Sequence, residues 1–162
     1  PADLALRFVT IHAVARQESM FDTMARSSAN ALGLMQLLPA TAAEQAGKLG
    51  LPADASRLTS DPIYNVTLGS AYFERLRAAF GGSWPLAAAA YNAGPGNARR
   101  IIAAAGDPRD AGTDVIDWVE SVTIAETRTY IQRVLENAVV YEALYPAQAG
   151  GRPARLSTYL RP

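Results

Sequence analysis

Apolar residues recur along this chain at the three- and four-residue spacing of helices, much of it in alanine-rich stretches, and no segment shows a convincing two-residue alternation. The pattern predicts a nearly all-α protein. With Asp3 as N-cap, Leu4, Phe8, Ile11 and Ala15 form one stripe of a first helix that ends near Gln17-Glu18-Ser19. Residues 22–32 are small and polar and read as a loop, and a short helix follows from Pro39 to Gly47. Asp61-Pro62 sets an N-cap with proline at the first helical position. The stripe Ile63, Val66, Phe73, Leu76 and Phe80 then runs to the Gly81-Gly82 stop. Ser83 caps an alanine-rich helix reaching Asn92, Gly94-Pro95-Gly96 breaks it, and another helix runs from about Asn97 to Gly106. Asp114 caps a short helix through Trp118 and Val119. The last long helix spans Ala125 to Tyr145, with Ile131, Leu135, Ala138 and Glu142 near one face, and stops at Pro146. Residues 147–162, rich in Gly, Pro and Arg, read as a tail, which leaves 1–146 as a single domain.

Composition removes several classes of chemistry. Fifteen basic and fifteen acidic residues give no net charge, and they are scattered, so a nucleic-acid partner is not expected. With no cysteine there is no disulfide, thiolate metal site or cysteine nucleophile, and one histidine, His12, cannot build a zinc site or a Ser-His-Asp triad unaided. No metal or organic cofactor is called for. His12 lies about 90° off the first stripe and receives no role. No run reaches the roughly 18 apolar residues of a membrane span. Because the first residue is Pro1 rather than Met, the chain reads as a processed product or an excised domain, with any targeting signal lost from view.

Four motifs remain. Glu18 falls within about 40° of the centre of the first apolar stripe, where desolvation should raise its pKa towards the range of a general acid. A core-edge glutamate held by an arginine or a buried hydrogen bond fits the same pattern. Gln36 is the one polar side chain of Gly33-Leu34-Met35-Gln36-Leu37-Leu38-Pro39, and it either bonds backbone or reaches into a cleft. Tyr91 and Asn92 of AYNAGPG stand at a helix end, where Asn commonly caps. Glu126 and Tyr130, four residues apart, share a face of the last helix, and a first-turn Glu also suits the helix dipole.

Glu18-Ser19, then Ser27, the GLMQ run, AYNAGPG and the ETRxY segment resemble, in order and spacing, the catalytic domain of the soluble lytic transglycosylases, in the goose-type lysozyme superfamily. The resemblance covers roughly residues 8 to 145. It implies a lysozyme-like, mostly α-helical domain with a groove for peptidoglycan glycan strands, in the bacterial periplasm. It also implies that Glu18 is the sole catalytic acid and base, and that Ser27 orients substrate near the reacting sugar. Met35, Gln36, Leu38, Tyr91, Asn92, Glu126 and Tyr130 are implied to bind substrate. Soluble relatives often carry a large helical region ahead of this domain. Three positions depart from the family pattern. Leu38 replaces a usual Met, a volume-conserving swap. Asn30 replaces a common Gly and can keep a left-handed conformation. Val122-Thr123-Ile124 replaces a segment that usually contains Pro.

Ordinary glycosidases use two carboxylates. Asp22 is the only other acid close to Glu18 in sequence, and it sits in the loop. The mechanism implied by the resemblance is therefore substrate-assisted, closing the sugar's own C6 hydroxyl onto C1. A hydrolytic goose-type lysozyme and a non-catalytic glycan-binding module are the alternatives.

Overall fold

The stretch Trp84–Ala93 carries no charge and is apolar on almost every side, so a helix formed there has to be enclosed by others. Ser83 starts it, with its Oγ accepting the Leu86 N–H at 3.3 Å, and Pro85 occupies the first turn. In the computed structural model, which describes residues 2–161, this is the fifth of nine helices among those residues. In chain order they are α1 (Ala2–Ser19), α2 (Pro39–Leu49), α3 (Arg57–Ser60), α4 (Pro62–Ala79), α5 (Trp84–Ala93), α6 (Pro95–Ala105), α7 (Val115–Ser121), α8 (Ala125–Leu144) and α9 (Ser157–Leu160). The fold is all-α: the described residues contain no strand, only isolated bridges joining Arg26 to Leu32 and Leu32 to Leu37. Helices α4, α6, α8 and α9 pack on α5, and α1 lies along α8. Asn137 on α8 donates to the Ala13 carbonyl while Tyr130, two turns earlier, reaches Glu18, so α1 and α8 run antiparallel.

Three of the four expected side-chain caps form, with Asp61, Ser83 and Asp114 each accepting an N–H from its own first turn. Ile131, Leu135, Ala138 and Glu142 are all buried, as the α8 pattern implies. The other two stripes need correction. Leu4 is 63% exposed and Phe8 and Ile11 are partly buried, while the enclosed residues of α1 are Val9, Thr10, Ala13, Val14 and Ala15, because α1 packs against α8 on one side and α4 on another. Ile63 is 73% exposed and Tyr64 points inward in its place. Helix α4 is shared between the main core, through Phe73 and Leu76, and a smaller cluster of Leu32, Leu37, Ala42, Ala46, Leu58, Tyr64 and Leu68. Helix α1 is already formed at Ala2, ahead of the expected cap at Asp3, whose side chain lies outside the described residues. Helix α6 starts at Pro95 and not Asn97, since proline is well suited to a first helical position.

The segment read as a tail is packed onto the domain. Tyr159 is buried, its ring edge-on to Trp84 at 4.9 Å, and its hydroxyl donates to Glu142 Oε2 at 3.0 Å. Arg152 pairs with the other Glu142 oxygen. A fully buried carboxylate requires such partners, and they come from 10 and 17 residues further along the chain. None of the helices among the described residues is long and apolar enough to cross a membrane.

Candidate active site

Glu18 occupies the last turn of α1, immediately before a reversal that places Met20 at φ 51° and Phe21 at φ 66°. Two consecutive bulky residues in the left-handed region are strained, and such strain persists where the surroundings over-determine it. One tie is visible in Ser19, whose Oγ lies 2.8 Å from the Leu34 carbonyl and 3.1 Å from that of Ala15. It joins the end of α1 to the loop carrying the GLMQ run. That loop is anchored from beneath by Asn65 of α4, which is fully buried and bonds Leu32 O, Leu58 O and the Met35 N–H, each at 2.9 Å. Gly33 sits over it at φ 73°, where a Cβ would come within 2.0 Å of Leu58 O. Only glycine fits there.

Across from Glu18 stands Tyr130 of α8, whose hydroxyl donates to Glu18 Oε1 at 2.6 Å. Burial pushes the Glu18 carboxyl from its ordinary value of 4.5 up to about 7, against the opposing pull of the Tyr130 hydrogen bond and with a smaller upward push from the negative charge of Glu126. Burial also holds the Tyr91 and Tyr130 phenols well above their ordinary range, so both are protonated donors. The folded state thus favours the neutral Glu18. Its contribution to stability is complete below about 4.5 and is lost as pH rises through about 7. The rate should fall over the same upper range if the neutral form is the acid. Tyr130→Phe removes the opposing hydrogen bond, so the alkaline limb of the pH–kcat/KM profile should move to higher pH. A limb that stays in place would show that this bond does not act on Glu18.

Two cavities meet at Asn92. One, of about 490 Å³, is lined by Gln17, Glu18, Asn92, Ala125, Glu126, Thr129 and Tyr130. The other, of about 340 Å³, is lined by Gln36, Leu37, Leu38, Thr41, Tyr72, Tyr91, Asn92, Ala93 and Gly94. The structure therefore brings Glu18, Asn92, Glu126 and Tyr130 to one cavity and Gln36, Leu38, Tyr91 and Asn92 to its neighbour. Both readings of Gln36 hold at once. Its Nε2 donates to Ala25 O and Gly33 O at 3.1 and 2.9 Å, and the side chain still lines the second cavity. Leu38 is 46% exposed there. Tyr91 donates to the Met35 carbonyl at 2.8 Å, which fixes its ring in the wall.

Two of the residues expected to contact substrate line neither cavity. Met35 is fully buried and lines neither cavity; its side chain fills the space that the absent side chain of Gly69 leaves, where an added Cβ would stand 2.5 Å from the Met35 sulfur. Position in the run implied a groove residue, but its thioether is core. Ser27 also lines neither cavity: its Oγ accepts the Ala31 N–H at 3.0 Å and closes the 27–31 turn. In that turn Asn30 adopts φ 63°, the left-handed conformation expected of it. Asp22 is exposed and accepts the Met24 N–H at 2.8 Å, a local turn.

Gln17, Thr129, Thr41 and Tyr72 were not singled out by the sequence. Thr129 stands three residues after Glu126 and one before Tyr130, so helical spacing alone could have found it. Tyr72 could not be found that way, since nothing local shows that α4 borders the groove.

The Transglycosylase SLT domain family model matches residues 5–112. The chain is 35% identical over 147 residues to the soluble lytic murein transglycosylase of Escherichia coli K12, covering 90% of this chain and 21% of that protein. It thus spans about a fifth of the length of that curated relative. Among solved structures, the 70 kDa soluble lytic transglycosylase of Escherichia coli superposes with a TM-score of 0.76 at 31% identity, over 88% of this chain and 24% of that one. The lytic transglycosylase Slt of Pseudomonas aeruginosa, solved as an inactive mutant with Gln in place of Glu, gives a TM-score of 0.73 at 39% identity, over 88% of this chain and 22% of that one. With a family match over well more than half its length and the same all-α frame, the chain belongs to the Transglycosylase SLT domain family of the goose-type lysozyme and lytic transglycosylase superfamily.

Proposed function

We propose that this domain is a peptidoglycan lytic transglycosylase. It cleaves the β-1,4 bond between N-acetylmuramic acid and N-acetylglucosamine without water and leaves 1,6-anhydro-N-acetylmuramic ends. The observation that carries the reading is Glu18, a carboxyl raised to about 7 and set in the wall of a polar cavity. One group that first gives a proton and then takes one works best with a pKa near ambient pH. That a Glu-to-Gln exchange accompanies inactivity in the Pseudomonas relative agrees with a carboxyl-dependent family chemistry.

In this mechanism neutral Glu18 protonates the glycosidic oxygen as the N-acetyl carbonyl of the muramic sugar attacks its own C1, displacing the leaving sugar. Ionised Glu18 then takes the proton of the C6 hydroxyl, whose oxygen closes on C1 and displaces the acetamido oxygen. An intramolecular hydroxyl outcompetes water by proximity, with effective molarities that can reach about 10⁵ M or more. Gln36, Leu38, Tyr91, Asn92 and Glu126 are assigned to substrate binding. The substrate places the reaction at the bacterial cell wall, in the periplasm, and the shared fifth of a longer relative suits a domain working beside a further helical region.

Glu126 is the observation that favours a hydrolase, since it is a second carboxylate in the same cavity. Its Oε1 is engaged by the Asn92 amide at 3.2 Å, and it serves here as a binding group. Product analysis separates the two. An early digest of purified peptidoglycan should yield muropeptides one water lighter than hydrolytic products and inert to borohydride. Mainly reducible muramic ends would establish the lysozyme reaction instead.

A further inference from the structure

Asn92 is the side chain common to both cavities, and the end of a helix does not decide which way its amide oxygen and nitrogen lie. Two contacts from α8 decide it. Thr127 is buried, 1% exposed, with Oγ1 at 2.8 Å from Asn92 Oδ1, and against an amide oxygen a hydroxyl can only donate. Asn92 Nδ2 faces Glu126 Oε1 at 3.2 Å, and an ionised carboxylate can only accept. Turning the amide over would set oxygen against carboxylate, and would also move the Thr127 hydroxyl from an acceptor to a donor. We infer that Thr127 is a positioning residue that locks the Asn92 carboxamide with its oxygen held inward and its nitrogen beside Glu126 in the cleft.

This orientation has a consequence for recognition, which rests on the glycan-cleft reading above. One Nδ2 hydrogen is used on Glu126 and the second remains, so Asn92 presents a donor to the saccharide. The group it meets is an acceptor such as an acyl carbonyl or a ring-substituent oxygen. Thr127 lines neither cavity and its hydroxyl bonds Asn92, which lines both, so Asn92 is the route by which that hydroxyl acts on substrate in this proposal.

The test is Thr127→Val, which keeps the β-branched shape and removes the hydroxyl, with Thr127→Ser as rescue. The Val variant should lose about 3–10-fold in kcat/KM, chiefly through KM, as expected for loss of one hydrogen bond, while its Tm falls by no more than about 6 °C, so that it stays folded under assay. The Ser variant should return to within about twofold of the parent, and in an Asn92→Ala background the Val change should cost nothing further. Without substrate, the Asn92 side-chain NH2 resonances should lose their distinct environment in the Val variant and keep it in the Ser variant. Absence of any turnover of peptidoglycan by the parent would count against the glycan reading. A parent that turns over, beside a Val variant with unchanged kcat/KM or a Val effect undiminished by Asn92→Ala, overturns the positioning role.

Discussion

Glu18→Gln is expected to lower turnover of peptidoglycan by about 10²–10⁴-fold or more, the usual worth of a positioned general acid, and to leave helical circular dichroism and the melt below pH 6 nearly unchanged. The amide is isosteric, and its oxygen can still accept the Tyr130 hydroxyl that reaches Glu18 Oε1 at 2.6 Å. What it cannot do is release a proton to the glycosidic oxygen and take one back. A second readout comes from linkage. Since the Glu18 carboxyl is raised from 4.5 to about 7, the parent should lose stability as pH rises through that window, and the Gln variant should lack that component. Activity within tenfold of the parent would remove Glu18 from the chemistry. Lost activity together with an unchanged pH dependence of the melt would show that its carboxyl is not the group held neutral by burial.

The second large effect is on stability. Asn65→Ala should destabilise the domain by several kcal/mol, because it leaves Leu58 O and the Met35 N–H without partners, each such buried orphan costing about 1–3 kcal/mol, and takes one of two donors from Leu32 O, which keeps the Leu37 N–H. Against a domain stability of about 5–15 kcal/mol this is a large fraction, and Tm should fall by roughly 10 °C. The surviving folded protein should also bind glycan less well, since those bonds hold the loop from which Gln36 and Leu38 reach the second cavity. A Tm within about 2 °C of the parent, less than the usual effect of losing even one such partner, would show that the loop is carried by the Leu32–Leu37 apolar cluster and not by the Asn65 bonds.

Local signals were legible in the sequence wherever a few neighbouring residues decide the outcome. The Asp61, Ser83 and Asp114 caps, the Gly94 break at φ 88°, the apolar surround of α5 and the left-handed Asn30 all follow from side-chain chemistry within about one helical turn. The four-residue helices α3 and α9 are too short to show a period, and neither was legible. Motif order marked Glu18, Ser27, Met35, Gln36, Leu38, Tyr91, Asn92, Glu126 and Tyr130 as one set, and of these only Ser27 and Met35 line neither cavity, because order along the chain carries family information but not geometry.

Only the tertiary structure decided how those residues act, because the contacts that set their chemistry join positions far apart in the chain. Of the stripe on which the sequence placed Glu18, Ala15 is buried, Phe8 and Ile11 pack against the core and Leu4 is exposed, but the Glu18 carboxyl is raised by burial within the assembled site, beside Tyr130, 112 residues away. Asn65, polar and in the first turn of α4, carries the loop through partners 7 to 33 residues distant, and nothing in its own surroundings announces that. Met35 went to the core while Gln36 beside it reached the groove, since Gly33 and Gln36 at φ 73° and 47° turn the backbone in a way that apolar patterning does not encode. Glu142 reads as an acid on a core face until the segment after α8 folds back with Arg152 and Tyr159. Side-chain type sets which chemistry a position can perform, but desolvation and neighbouring charge set its pKa and its direction, and those are properties of the packed assembly.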